Sequence, residues 1–144
     1  MADIQYEALK LENQLCFPLY ACAREVVKKY KPFLDDIDLT YTQYVTMMVL
    51  WEKPQVTSKE IGERLHLDSG TLTPVIKKLA EKGLVTRKRS PEDERNLEVA
   101  LTDTGLALRE RAACIPGKMG KCVCLDPEDA RTLYRILYQL LGAL

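Results

Sequence analysis

No excess of charge of either sign marks this chain of 144 residues: Lys plus Arg number 21, Asp plus Glu also 21. Any affinity for nucleic acid must then come from local placement of charge, because the whole-molecule field is near neutral. No secretory h-region opens the sequence and no apolar run is long enough to cross a bilayer, so a cytoplasmic location with no membrane partner is expected. Histidine occurs once, at His66, and Cys122-Val123-Cys124 has C-x-C rather than C-x-x-C spacing. A zinc site is therefore disfavoured, and neither metal nor cofactor is expected. The five cysteines are an odd number, which in a reducing compartment argues against a static disulfide framework and for thiols that are buried, reactive or metal-bound. There is no internal repeat and no low-complexity segment. The length suits one domain, and 47% hydrophobic with 29% charged residues is the balance of an ordinary globular protein.

What is present centres on Thr57 to Leu101. Thr57 with Glu60 forms a T-x-x-E capping box, and Ile61 and Leu65 supply the apolar stripe of the helix it opens. After a turn at His66-Leu67, Asp68 or Ser69 caps a second helix. Its Leu72, Ile76 and Leu79 face inward, and Thr71, Thr73, Lys77 and Lys78 stay outside. Gly83 stops it in the C′ manner. Leu84 to Arg89 then reads as a strand ending in three cations, and a turn, Ser90 to Asn96, leads into Leu97 to Leu101, where apolar residues alternate with period two. Two helices and a basic-tipped hairpin in this order describe a winged helix-turn-helix. Lys77, Lys78, Lys82, Arg87, Lys88, Arg89 and Arg95 crowd into this stretch, while acids gather at Asp35-Asp36 and Asp126 to Asp129.

Around this core the spacing predicts further helices. Leu9, Leu15, Leu19, Cys22, Val26 and Val27 describe one long amphipathic helix from about Tyr6 to Tyr30, kinked or broken near Cys16 by Pro18 and bounded by Lys31-Pro32. Thr40 caps a helix from Tyr41 to Trp51 with Tyr44, Val45, Met48 and Leu50 or Trp51 as its core face. Thr102 to Gly105 begins a helix ending near Pro116-Gly117, followed by a loop holding Cys122 and Cys124. Asp126 caps the last helix with Pro127 at its first position, and Leu133, Ile136, Leu137, Leu140, Leu141 and Leu144 form a broad apolar face. A winged domain can bury its own core, so apolar helices at both ends suit packing against a second copy. An obligate two-fold homodimer is expected, with reading helices about one turn of duplex apart on palindromic operator DNA. The fold class is α+β, mainly α: a winged helix-turn-helix DNA-binding unit with terminal helices as dimerisation region. Cys22 and Cys114 read as packing residues. On spacing alone Cys16 also reads as a small core residue.

The run Asp68-Ser69-Gly70-Thr71-Leu72-Thr73-Pro74, followed by Gly83 to Arg87 and the Asp93-Glu94-Arg95 turn, resembles the MarR family of winged-helix regulators. Leu11 to Phe17, Leu19-Tyr20-Ala21, Tyr30-Lys31-Pro32, Thr40-Tyr41, Trp51-Glu52 and Ile115-Pro116-Gly117 resemble its OhrR branch, repressors that sense organic hydroperoxides. Pro18 departs from the branch's pattern. The resemblance implies one MarR-type domain over 1–144, with dimerisation helices at 1–35 and 104–144 and the winged helix-turn-helix at 40–102. It makes Cys16 the peroxide-reactive thiol, hydrogen-bonded by Tyr20 and by Tyr30 and Tyr41 of the partner subunit, with Cys122 or Cys124 as resolving thiol from the opposite subunit. It also brings Ser69, Gly70, Thr71, Thr73 and Pro74 to the major groove, and Arg95, braced by Asp93, to the minor groove. The physics agrees: small residues let a helix N-terminus approach a phosphate, hydroxyls read base edges, and Lys77, Lys78, Arg87 and Arg89 supply local charge.

The implied function is a repressor that binds operator DNA when reduced and is released when organic hydroperoxides oxidise Cys16. Two other classes compete: a MarR-type regulator released by a small aromatic ligand with every thiol reduced, and a thiol peroxidase. A basic wing and a reading helix have no place in a peroxidase, so no enzyme is expected.

Overall fold

The structure, a computed structural model, describes residues 6–92 and 96–144. After a 3₁₀ turn, Leu11–Asn13, the elements are α1 Cys16–Asp35, α2 Tyr41–Glu52, β1 Gln55–Thr57, α3 Ser58–Leu65, α4 Ser69–Glu81, β2 Val85–Arg89, β3 Leu97–Leu101, α5 Asp103–Ala112, α6 Ile115–Cys122 and α7 Pro127–Ala143. The strands form an antiparallel sheet of order β1-β3-β2, with Val56 opposite Val99 and Val85 opposite Leu101. This is the mainly helical winged helix-turn-helix that the patterning predicts.

Local chemistry sets the helix ends. Thr57 Oγ1 accepts the Glu60 N–H at 3.1 Å and Glu60 Oε2 accepts the Thr57 N–H at 2.9 Å, completing the box that opens α3. Of the two candidate caps for α4, Asp68 is the one used: its Oδ1 accepts the Thr71 N–H at 2.7 Å. Gly83 at φ +74° ends α4, with its N–H on the Ala80 carbonyl and the Leu84 N–H reaching back to Leu79. The core forms where α2 is enclosed by α1, α3, α4, α5 and β3. Met47, Leu50, Ile61, Ile76, Leu79, Val99 and Ile115 are its fully buried side chains.

Several expectations are corrected. α1 begins at Cys16, and the residues before it form a 3₁₀ turn instead of continuing one helix from Tyr6. Pro18 marks that break because a first-turn residue has no intrahelical acceptor to lose. At its other end α1 runs through Pro32 to Asp35, because burial of Leu34 and packing of Tyr30 and Phe33 on the core outweigh one missing bond. In α2 it is Met47 that is buried and Met48 that is exposed; enclosed on most sides, the helix has little apolar asymmetry for periodicity to read. β1 went unforeseen, since three residues with one buried side chain, Val56, are too few for a period-two signal. Finally, the helix after the wing stops at Ala112, and Pro116 sits in the first turn of α6 rather than ending a helix. Cys122 is thus the last residue of α6, and Cys124 alone lies in the connection to α7.

The terminal helices are covered least. α7 has no buried residue, and Leu15, Phe17, Leu19 and Tyr20 of the first segment are exposed with Leu133, Ile136, Leu140 and Leu141 of α7. Cys22 and Cys114, expected as packing residues, are exposed as well, Cys22 on α1 and Cys114 in the turn between α5 and α6. Among the described residues no helix is long and apolar enough to cross a membrane.

Candidate functional site

Two groups of residues are candidates: the tip of α4 with the wing, and the sulfur of Cys16 with the tyrosines. At the first, Ser69, Gly70, Thr71, Thr73 and Pro74 are exposed together over the opening turns of α4. The Asp68 cap takes up the Thr71 N–H, and that bond holds the Asp68 carboxyl below its ordinary range. Thr73 Oγ1 donates to the Ser69 carbonyl at 2.7 Å, so its lone pairs are what it offers outward. Pro74 lacks the N–H that would have met the Gly70 carbonyl on the same exposed surface. A concavity of about 630 Å³ lies beside this tip, bounded by Lys59, His66, Ser69, Thr73 and Asn96 over a floor of Leu72 and Ile76. His66 turns the chain there at φ +54°.

The wing is β2, β3 and their connection. Only Val85 of β2 is buried; Arg87, Lys88 and Arg89 are exposed, opposite Val99, Glu98 and Leu97. The Ser90 N–H meets the Asn96 carbonyl at 2.9 Å and closes the hairpin. Asp93 and Arg95, expected at its tip, lie outside the described residues. Among the described residues Lys77, Arg87 and Arg89 make no ion pair, and Lys78 has only a solvated one with Glu81 at 3.6 Å. Lys82 departs from the basic run. Its Nζ turns away from the tip to donate to the Asp38 carbonyl and to Gln43 Oε1, an arrangement that charge spacing cannot reveal.

At the second group, Cys16 is the first residue of α1 and exposed. A thiol reacts with peroxide only as its thiolate, so a sensing sulfur needs hydrogen-bond donors or a helix N-terminus beside it. Tyr20 lies one turn along the same helix, exposed, beneath the Arg24 guanidinium at 5.4 Å. Tyr30 and Tyr41 come together elsewhere, their rings 4.9 Å apart, and Tyr44 joins them at 5.8 Å from Tyr30. Burial pushes the phenols of Tyr30, Tyr41 and Tyr44 above the usual value of 10.0, so all three remain O–H donors at neutral pH. Tyr44 was read only as core. Cys16 and Tyr30 are separated by almost four turns of one straight helix, roughly 20 Å. Within a single chain the sulfur and this cluster therefore cannot meet. Cys122 and Cys124 are exposed free thiols, the latter donating weakly to the Lys121 carbonyl at 3.4 Å.

Comparison with known proteins adds the following. The model of the family described as "Transcriptional regulator SarA/Rot" matches residues 28–111. The organic hydroperoxide resistance transcriptional regulator of Bacillus subtilis (strain 168) is 49% identical over 140 residues, covering 97% of this chain and 95% of its own length. Reduced AbfR bound to DNA, AbfR being a protein of Staphylococcus epidermidis, superposes with a TM-score of 0.79 at 33% identity, covering 98% of both chains. The disulfide-formed state of AbfR superposes with a TM-score of 0.65 at the same 33% identity, covering 98% of this chain and 99% of that one.

Proposed function

The chain belongs to the MarR family of winged-helix transcriptional regulators, in its organic hydroperoxide resistance branch, and on that premise we propose that it represses transcription as a homodimer until a hydroperoxide oxidises Cys16. It is a DNA-binding regulator and not an enzyme, as its fold and its relatives are. The reduced dimer sets two α4 tips into successive major grooves of a palindromic operator. There Ser69, Gly70, Thr71, Thr73 and Pro74 meet bases and backbone, while Lys77, Lys78, Arg87 and Arg89, with Asp93 and Arg95 of the wing tip, secure the flanking phosphates and minor groove. Residues 40–102 do the reading, and 1–35 with 104–144 pair the subunits.

The observation that carries this reading is the separation of Cys16 from Tyr30 and Tyr41 along α1, together with the uncovered apolar faces of α1 and α7. A second copy packed on those faces brings the sulfur of one subunit to the phenols of the other. The Cys16 thiolate attacks one oxygen of the hydroperoxide, the O–O bond breaks, and the departing alkoxide takes a proton and leaves as the alcohol. Sulfur is now a sulfenic acid. Condensation with the thiol of Cys122 or Cys124 from the opposite subunit expels water and forms a disulfide. Either product removes the charge that the phenols of Tyr20, Tyr30 and Tyr41 held, and a disulfide also draws the α6–α7 connection toward α1. The spacing of the two α4 tips changes, and a coupling of about 3 kcal/mol is enough to release the operator a hundredfold.

The test is operator binding by Cys16→Ser before and after treatment with cumene hydroperoxide. The variant is expected to bind as the wild type does and to stay bound after treatment; peroxide-induced release of this variant would remove Cys16 from the sensing role.

A further inference from the structure

Lys82 of the basic run faces away from the reading tip. It caps the C-terminal end of α4, its side chain 27% exposed. The ammonium donates to the Asp38 carbonyl and to Gln43 Oε1 at 3.1 Å, with the Asp38 carboxylate at 3.5 Å. All of these acceptors belong to the turn between α1 and α2 or to the first turn of α2. Gln43 Oε1 also accepts the Thr40 N–H at 3.1 Å, and the Gln43 N–H returns to Thr40 Oγ1 at 3.3 Å, so Lys82 is bonded into the capping box that starts α2. Tyr41 is the first residue of that helix, its ring packed at a tilt against that of Tyr30. From the other side Arg111 of α5 donates to the Asp36 carbonyl. Turn 36–39 is therefore gripped by one cation of the reading helix and one of α5, between the two phenols proposed to receive the partner's sulfur. Asp38 holds φ +53°, a conformation L-residues rarely adopt, and the Leu39 N–H closes on the Leu34 carbonyl at 3.0 Å, so the direction of the Asp38 carbonyl is fixed by its own backbone.

Lys82 is not needed to satisfy a buried group. Without it Gln43 Oε1 keeps the Thr40 N–H, and the exposed Asp38 carbonyl passes to water. What is lost is a directional tie between the base of α4 and the cap of α2, since the rest of α4 is held by the apolar contacts of Leu72, Ile76 and Leu79, which tolerate small rotations.

We propose that Lys82 is the positioning residue through which the tyrosine cluster sets the attitude of the reading helix. The inference rests on the function proposed above: displacement of Tyr41 by the partner's oxidised sulfur moves the α2 cap, and Lys82 carries that movement to α4.

The experiment measures operator affinity, reduced and after cumene hydroperoxide, for the full-length wild type, Lys82→Met and Lys82→Arg, with mass spectrometry of Cys16 in the same samples. Lys82→Met keeps the aliphatic stem. It is expected to bind operator within about threefold of wild type when reduced, to oxidise at Cys16 at the wild-type rate, and to lose less than about tenfold where wild type loses about a hundredfold. Lys82→Arg keeps a donor and is expected to restore the full loss; Lys82→Gln, neutral and too short to reach Gln43, repeats the effect of Met by an independent truncation. Full release of both neutral variants, or loss of their binding already in the reduced state, would overturn the role given to Lys82. A wild type that keeps its affinity once Cys16 is oxidised would overturn the redox reading itself, and that is read without any Lys82 variant.

Discussion

Mixed dimers decide whether the sensing site is built from two chains. One subunit carries Cys16→Ser, the other Tyr30→Phe with Tyr41→Phe, and differently tagged copies are co-purified so that only mixed pairs are assayed. Such a dimer has one reactive sulfur, on the subunit that lacks its own two phenols. Along α1 that sulfur stands roughly 20 Å from position 30 of its own chain, a gap that a thiol and a tyrosine together cannot span. If the phenols act across the interface, the surviving Cys16 faces the intact Tyr30 and Tyr41 of its partner and reacts with hydroperoxide at the wild-type rate. If they act within one chain, it faces two phenyl rings. A hydrogen bond to a charged group contributes about 1.5–3 kcal/mol, so loss of even one lowers the thiolate population, and with it the rate, on the order of tenfold to a hundredfold. Stopped-flow oxidation of the mixed dimer, beside a homodimer bearing both Phe substitutions, reads the difference. A mixed dimer as slow as that homodimer would refute the geometry on which the proposed function stands.

Three further outcomes follow from the geometry. Gly105→Ala puts a Cβ against the Leu84 carbonyl oxygen and 3.1 Å from Leu101 Cδ2, where backbone at the base of the wing must yield; urea denaturation is expected to report a loss of about 1–3 kcal/mol, and an unchanged midpoint would contradict it. The phenols of Tyr30, Tyr41 and Tyr44 are raised by burial, so the folded state holds their protons more tightly than the unfolded chain does. Their contribution is fully present below the usual value of 10.0 and is lost as pH rises through the raised values; stability measured from pH 8 upward is expected to fall less steeply in Tyr44→Phe than in wild type, and parallel curves would argue against it. Replacing Arg87 and Arg89 together by Ala in each subunit is expected to flatten the dependence of log affinity on log salt by about 0.9 for each phosphate contact removed, and an unchanged slope in fluorescence anisotropy would take these side chains off the DNA backbone.

The winged segment was legible because its signals are local. Thr57 and Glu60, Asp68 and Thr71, and Gly83 with Leu84 each settle a helix end within a few residues, and Leu72, Ile76 and Leu79 repeat at helical spacing. What escaped was decided by distant partners. Pro32 continues α1 because Leu34 and Phe33 find a core contributed by other elements, and β1 exists because β3 offers it an edge. Lys82 looked like one more cation of the reading surface; only the fold brings the α1–α2 turn, 39 or more positions earlier in the chain, within its reach. The candidate site divided in the same way. The exposed residues of the α4 tip follow from helix phase, whereas Tyr30 and Tyr41 meet by packing and their relation to Cys16 came from resemblance alone.

α7 carries the strongest physical case for a second copy. It is 17 residues long with none buried, and an isolated helix of that length is marginal in water. Its caps are in order: Asp126 accepts the Glu128 N–H at 2.9 Å, Pro127 starts the first turn, and Glu128 and Asp129 favour the positive end of the dipole. Caps of this kind contribute little beside what burial supplies, and among the described residues Leu133, Ile136, Leu140 and Leu141 are only partly covered and stay exposed. A helix so specified at its start and so uncovered along its length needs an apolar surface from outside the chain. The uncovered faces of the first segment, Leu15, Phe17, Leu19 and Tyr20, are of the same kind and include the neighbours of Cys16. In the proposed dimer these faces cover one another, so folding of α7 and construction of the thiol site become one event. Whatever oxidises the sulfur then acts on the interface that holds the two reading helices at their spacing.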